Sequence, residues 1–278
     1  MRILSASPPV RTSIPRVLRA VAFVAVWVLA GVVLRVGHFS WASPDTYIVI
    51  GLPLTMAYQR LLRRRPLYEL WVRNHRSTGR GWLLPVLLGV TASLMHVINL
   101  RSSLGEHNPT DIAFDVAAMA GAIGCGLAAN AMDARDWRAL GFGFATAGLA
   151  SVLISVATSH RQSWDLSVMA ARILRSTVYY VPVGFTLEEV TFRAAIDDDL
   201  ADDRRYMRYL TAVASSGLWG LWHLPIHFGK LNFGTLFVIV AVHVIVGTPL
   251  ALSYRRSGNL LVPAIVHAFA DGVRDALS

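Results

Sequence analysis

Apolar runs close to the ~20 residues that cross a bilayer recur along the chain, and this repetition points to a bundle of membrane helices. They cover about 20–36, 46–62, 82–100, 112–132 and 139–158, resume near Leu166, return over 209–224 and 233–252, and start again near Asn259. The expected fold class is all-α, a polytopic transmembrane helical bundle of about eight or nine spans. Composition agrees, with 54% hydrophobic and 15% charged residues and a mean hydropathy of +0.49. A formal net charge of +9 would suggest nucleic acid as the partner of a soluble protein. Here the arginines gather in short loops between apolar runs, where they set orientation, so the expected partner is the lipid bilayer and not nucleic acid.

The densest basic stretch, Arg60, Arg63, Arg64, Arg65, Arg73, Arg76 and Arg80, places its loop in the cytoplasm, where it also suits anionic lipid heads. The loop around Glu106 then falls outside, the 133–138 turn inside and the 160–165 segment outside. The first apolar run follows Arg11, Arg16 and Arg19, contains Trp27 and ends without a small-residue cleavage site, so it reads as a retained anchor. The localisation expected is the cell membrane, multi-pass.

Residues 1–164, with about five spans, read as an N-terminal transmembrane scaffold. Gly121, Gly124, Gly126, Gly141, Gly143 and Gly148 would let its helices approach closely, and His96, Asn99, Asp115 and Asn130 read as interhelical hydrogen-bonding residues. Cys125 is the only cysteine. It excludes an intrachain disulfide and a cysteine metal cluster within one chain.

Residues 165–278 carry the charges that a membrane helix must justify. Within FTLEEVTFRAAI, residues 185–196, two adjacent glutamates and an arginine sit among apolar neighbours, although one ionised side chain at mid-bilayer costs roughly 2.5–3.5 kcal/mol on insertion scales. Glu189 and Arg193 are four apart and share a helix face, so they can pair. Glu188 lies about 100° further round and is free to face a polar cavity. Pro182 lacks a backbone donor and Gly184 is flexible, which predicts a kink or short break just before Glu188. The acidic stretch 197–203 reads as a solvated helix end.

Trp219 and His223 are also four apart on one face, with Pro225 ending the helix after them. From the hairpin near residue 203, Glu188 and His223 lie at depths of roughly 22 and 30 Å, at about 1.5 Å per residue. The two can therefore approach each other. His223 and His227 would suggest a metal-binding face, but Pro225 disrupts it. His243, alone among Val, Ile and Ala, reads as a packed or hydrogen-bonded core residue. His267 and Asp271 again share a face, an arrangement that fixes a histidine tautomer.

These three patches, EExxxR at Glu188–Arg193, aromatic-xxx-His at Trp219–His223 and His-xxx-Asp at His267–Asp271, resemble the CPBP family of intramembrane endopeptidases, which includes the CAAX prenyl endopeptidases and bacterial Abi-type proteins. The resemblance covers about residues 166–278. It implies glutamate-dependent peptide hydrolysis within the membrane, with Glu188 as general base, His223 helping to hold the attacking water, and His267 with residue 271 stabilising the oxyanion. Glu189, Arg193 and Trp219 would support them. The second motif of the family usually has Phe where this chain has Trp219, a conservative change on an aromatic wall. Asp271 stands where Asn is frequent; an ionised aspartate cannot donate a hydrogen bond, so it is expected to orient His267. Amide hydrolysis needs just such a base and such donors.

The implied substrate is a membrane-embedded or lipidated peptide or protein, of which prenylated CAAX peptides are one type, with the site toward the cytoplasmic half of the bilayer. No cofactor is expected. Zinc held by Glu, His and Asp ligands is the alternative, against which the Glu189–Arg193 pairing argues. Two other functions fit parts of the pattern: a non-proteolytic membrane binding or immunity factor, and a proton relay. Intact Glu188, His223 and His267 speak against the first, and the crowding of polar residues into one patch speaks against the second.

Overall fold

The computed structural model describes residues 15–37, 44–70, 83–106, 109–159, 165–202 and 204–278. Arg73, Arg76, Arg80 and residue 82, and most of the 160–165 segment, lie outside the described residues, as does Asp203. The described residues form nine long helices and no strand. These are α1 (Arg16–Val36), α2 (Pro44–Ala57, widening to π winding over Tyr58–Leu62), α3 (Leu83–Glu106) and α4 (Pro109–Asn130). Helix α5 runs through Ala134–Gly143, a π turn at Phe144–Gly148 and Leu149–Thr158. Helix α6 joins Leu166–Val183 to a π-wound Gly184–Asp197 and a last turn, Asp198–Leu200. Helices α7 (Arg205–Trp222), α8 (Phe233–Ser257) and α9 (Leu261–Leu277) complete the bundle. Every expected apolar run therefore lies on one helix.

Local sequence sets the ends. Asp133 and Asp136 cap α5 reciprocally, Asp165 accepts from the backbone of Ser167 and Val168 at the start of α6, and Asn232 accepts from Thr235 at the start of α8. Each satisfies backbone donors that a helix start leaves orphaned. Gly258, at φ +72°, closes α8 in the left-handed conformation that favours glycine.

The bundle is turned outward for lipid. Leu29, Ile98 and Phe237 are each more than 60% exposed, whereas His96, Asp115, Glu189, Arg193 and Asp197 are buried. Four helices, α1, α4, α5 and α8, are long and apolar enough to cross a membrane. A single cluster of buried side chains runs from Ala20 in α1 through Phe192 and Trp222 to Val266 in α9. At its centre Trp27 donates to the Tyr47 carbonyl at 2.9 Å, and the Tyr47 hydroxyl donates to the Trp222 carbonyl at 2.6 Å. That second bond satisfies a carbonyl at the end of α7, one residue before His223.

The scaffold glycines divide. A Cβ on Gly121 would collide with the Thr186 hydroxyl and the Pro182 carbonyl of α6, so this position requires glycine for helix contact. Gly141, in contrast, faces open space. His96 does join three helices: Nδ1 lies 3.1 Å from Asp115 Oδ1 on α4 and Nε2 lies 3.1 Å from the Tyr179 carbonyl on α6.

The stretch expected as a solvated helix end is instead an anchor. Asp197 accepts two hydrogen bonds from Arg255 of α8, at 2.9 and 2.6 Å, and one from Ser215 of α7 at 2.8 Å. Asp198 accepts from Arg63 and Arg65 beyond α2. Asp199 accepts from Arg19 of α1 at 2.9 and 3.0 Å and from the Tyr58 hydroxyl at 2.8 Å. Three consecutive carboxylates thus tie the end of α6 to four other helices. Among the described residues of the stretch, Asp202 alone behaves as expected, partly exposed on the turn and held down to about 2 by the Arg204 guanidinium and backbone N–H.

Candidate functional site

The site is built on the π-wound part of α6. The chain is not broken at Pro182 and Gly184; the helix runs on, with its winding widened from Gly184 onward. Pro182 can donate no backbone hydrogen bond, and a looser i→i+5 pattern is one way a helix continues past such a defect. The widened segment carries both glutamates, and they part company. Glu189 is fully buried: its Oε2 accepts from Arg193 Nε at 3.0 Å and its Oε1 lies 2.8 Å from His267 Nδ1. Glu188 lines a cavity, where its Oε2 accepts from Trp219 Nε1 at 2.9 Å.

Trp219 is therefore more than an aromatic wall. Its indole N–H holds the Glu188 carboxylate, a bond that phenylalanine cannot make. The ring also lies between the Arg193 guanidinium, 5.0 Å from its centroid, and the rings of His243 and His267, at 4.7 and 4.8 Å. Its carbonyl lies 3.0 Å from His223 Nδ1. One tryptophan thus touches the carboxylate with its indole and a histidine with its backbone, and no direct bond joins Glu188 to His223.

A carbonyl only accepts, so the hydrogen of His223 is on Nδ1 and its Nε2 is an acceptor. His243 repeats the pattern, with Nδ1 2.6 Å from the Ile239 carbonyl and its ring 4.1 Å from that of His223. The reading of His243 as hydrogen-bonded holds, but it also lines the same cavity as Glu188. The sequence offered no signal for this: a single histidine in an apolar run has no i+4 partner to mark its face. His267 Nδ1 faces Glu189, while Nε2 lies 3.5 Å from Asp271 Oδ2, too long for a good hydrogen bond. Asp271 is itself held by Arg274 at 2.7 Å, a cation that the motif reading did not include. The firmer orientation of His267 comes from Glu189, 78 residues away in the chain.

The cavity measures about 970 Å³ and is shared by Glu188, Trp219, His223, His243, His267 and Asp271. Its far lining includes Ser102, Asp111, Thr158, His227 and Arg274. These belong to the helix ends opposite those that carry Arg19, Arg63, Asp197 and Arg255. Helices α5 and α8 pack closely over Ala134–Gly143 and separate toward Thr158, where Ser155 and Val242 line the cavity.

Zinc asks for at least three converging donors. Among the described residues no three His, Cys, Asp or Glu side chains are so placed, and Glu189 is committed to Arg193 and His267.

Fold and site together define a helical membrane protein with carboxylates and imidazoles gathered in a cavity between its helices. Residues 170–273 match the family model described as Rce1-like, type II CAAX prenyl endopeptidase Rce1-like. The match supports the CPBP resemblance of the three motifs, and the matched family is one of CAAX-type peptidases. No curated protein and no solved structure matches the chain.

Proposed function

We propose that the protein is an intramembrane glutamate-type endopeptidase that hydrolyses a peptide bond of a membrane-associated substrate, with residues 165–278 carrying the reaction and residues 1–164 supporting them. The observation that carries this reading is the divergence of the two glutamates: Glu189 is consumed by Arg193 and His267, while Glu188 stands in the cavity held by one neutral donor. A carboxylate so placed can take a proton from water. In the proposed reaction Glu188 removes that proton as the water oxygen attacks the peptide carbonyl carbon, and His223 Nε2 accepts the water's other hydrogen bond. The carbonyl oxygen becomes an oxyanion. Donation to it requires a hydrogen on His267 Nε2, the nitrogen that faces Asp271. Collapse of the tetrahedral intermediate breaks the C–N bond, and the proton on Glu188 passes to the departing amine. The products are a carboxylic acid and an amine, and no metal enters the cycle.

Five further helices, α2, α3, α6, α7 and α9, carry cavity or anchor polar groups among apolar neighbours and lie within the same bundle. All nine helices crossing the bilayer is the arrangement we favour. If the arginine-bearing ends lie in the cytoplasm, as the loop charges direct, the cavity lies toward the other half of the bilayer, in place of the cytoplasmic half expected from the sequence. The opening of α5 from α8 suits a substrate that arrives from the lipid, as a transmembrane segment or a lipidated peptide.

The test is cleavage of a membrane-partitioning fluorogenic peptide library by the purified full chain, including prenylated CAAX-type peptides. Glu188→Gln is expected to lower kcat by about 10²–10⁴, the usual contribution of a general base, and chelators are expected to leave the wild type active. Activity that a chelator abolishes and zinc restores would replace this mechanism with a metal-dependent one. Absence of cleavage by folded protein across the library would favour the binding or immunity factor.

A further inference from the structure

A second pocket, of about 570 Å³, lies at the opposite end of the bundle from the cavity's far lining. Its wall is made by Arg135, Arg138, Ala139 and Phe142 at the start of α5, Arg208 at the start of α7, and Arg255 and Arg256 at the end of α8. Five guanidinium groups around one concavity repel one another unless anions answer them. Asp197 answers Arg255. Among the described residues, Arg135, Arg138, Arg208 and Arg256 form no ion pair. Among the described residues no acidic side chain lines the pocket, and the nearby Asp133 and Asp136 are engaged in the cap of α5.

Arg256 is the most telling of the group. Its guanidinium lies over the Phe142 ring, 3.5 Å from the centroid, which fixes the fork against an apolar plate. Its Nη1 is buried and has no hydrogen-bond partner among the described residues. Such a charged donor is costly unless an acceptor reaches it. The pocket offers planar forks, a positive field and an apolar floor, the chemistry that recognises a phosphate group. Around it, Trp137, Tyr206 and Tyr209 are at least half exposed on α5 and α7, as aromatic side chains are at the headgroup level of a bilayer.

We infer that this pocket is a binding site for a phosphate-bearing anion, and that its aromatic flank directs it to the headgroup of an anionic phospholipid. It is separate from the peptidase site and does not depend on that assignment. Two ligands share the chemistry, a lipid phosphodiester and free inorganic phosphate, and they differ in the acyl chains that the flanking aromatics would meet.

The test is native mass spectrometry and thermal unfolding of the full chain in neutral detergent, with phosphatidylglycerol, phosphatidylcholine or inorganic phosphate added. Wild type is expected to retain phosphatidylglycerol over phosphatidylcholine and to unfold at a higher temperature with it. Arg138→Gln with Arg256→Gln should weaken that retention roughly thirtyfold, as about 1 kcal/mol per basic side chain near a lipid surface implies. Arg172→Gln with Arg175→Gln, which removes two exposed charges elsewhere, should leave it unchanged. If the first pair fails to fold, Arg135→Gln with Arg138→Gln, both exposed on α5, takes its place. Protection of wild type by inorganic phosphate alone, lost in the Gln pair, would keep the site and overturn the lipid source. Equal retention of the two lipids, or retention of phosphatidylglycerol unchanged in the Gln pairs, would overturn the proposal.

Discussion

Adjacent residues on a helix point apart, and the two glutamates meet different environments. Glu189 has a partner for each oxygen within α6 and α9, whereas Glu188 has a single indole N–H and a cavity. Trp219 is the residue that makes this asymmetry useful, because it restrains the carboxylate without neutralising it. Trp219→Phe keeps an aromatic ring and removes the donor. Losing a hydrogen bond to a charged group costs about 1.5–3 kcal/mol, so kcat/KM for peptide cleavage should fall roughly 10- to 150-fold, with the unfolding temperature little changed. A variant as active as wild type would show that the indole N–H has no part in catalysis. His243→Gln tests the neighbouring imidazole: if its Nε2 joins His223 around the water, the variant should lose activity more than it loses peptide binding, seen as a fall in kcat with KM nearly constant.

At the scale of elements, α6 is held at both its chemistry and its end. The site half is gripped by α9 through Glu189 and His267, and the last turn by α1, α2, α7 and α8 through Asp197, Asp198 and Asp199. Asp197 is fully buried and the Arg255 side chain nearly so. Removing one partner of a buried pair leaves an unanswered charge, so Asp197→Ala should destabilise the protein by about 3–5 kcal/mol, read from thermal or denaturant unfolding in detergent. Asp202→Ala, on the exposed turn, should leave stability close to that of wild type. The contrast separates an anchoring carboxylate from a solvated one within six residues of chain.

For the whole molecule, the arginine-bearing ends and the cavity's far lining mark two opposite faces. In a Cys125→Ser background, single cysteines at Thr158 and at Arg135 report which face is which. A membrane-impermeant maleimide applied to intact cells should label position 158 and leave position 135 unlabelled until the membrane is opened. The reverse pattern would return the cavity to the cytoplasmic half and would mean that the arginine loops do not set the orientation. Cys125 itself is buried, so its replacement serves only to silence the background.

What depends on near neighbours was legible in the amino-acid sequence. Runs of apolar residues marked an all-α bundle of about eight or nine spans, because hydropathy and helix length are local quantities, and spacing of four put Glu189 with Arg193, Trp219 with His223 and His267 with Asp271 on common faces. It also separated Glu188 from Glu189, since adjacent residues on a helix point apart. The tertiary structure alone decided what depends on other helices. It joined Arg19 to Asp199 across 180 residues, turned an apparently solvated acidic stretch into a buried anchor, brought His243 to the cavity, and gave Trp219 a carboxylate 31 residues away. A helix pattern states which face a side chain occupies. The partner on that face is chosen by how neighbouring helices pack, and an acidic stretch reads the same in sequence whether water or an arginine from another helix meets it.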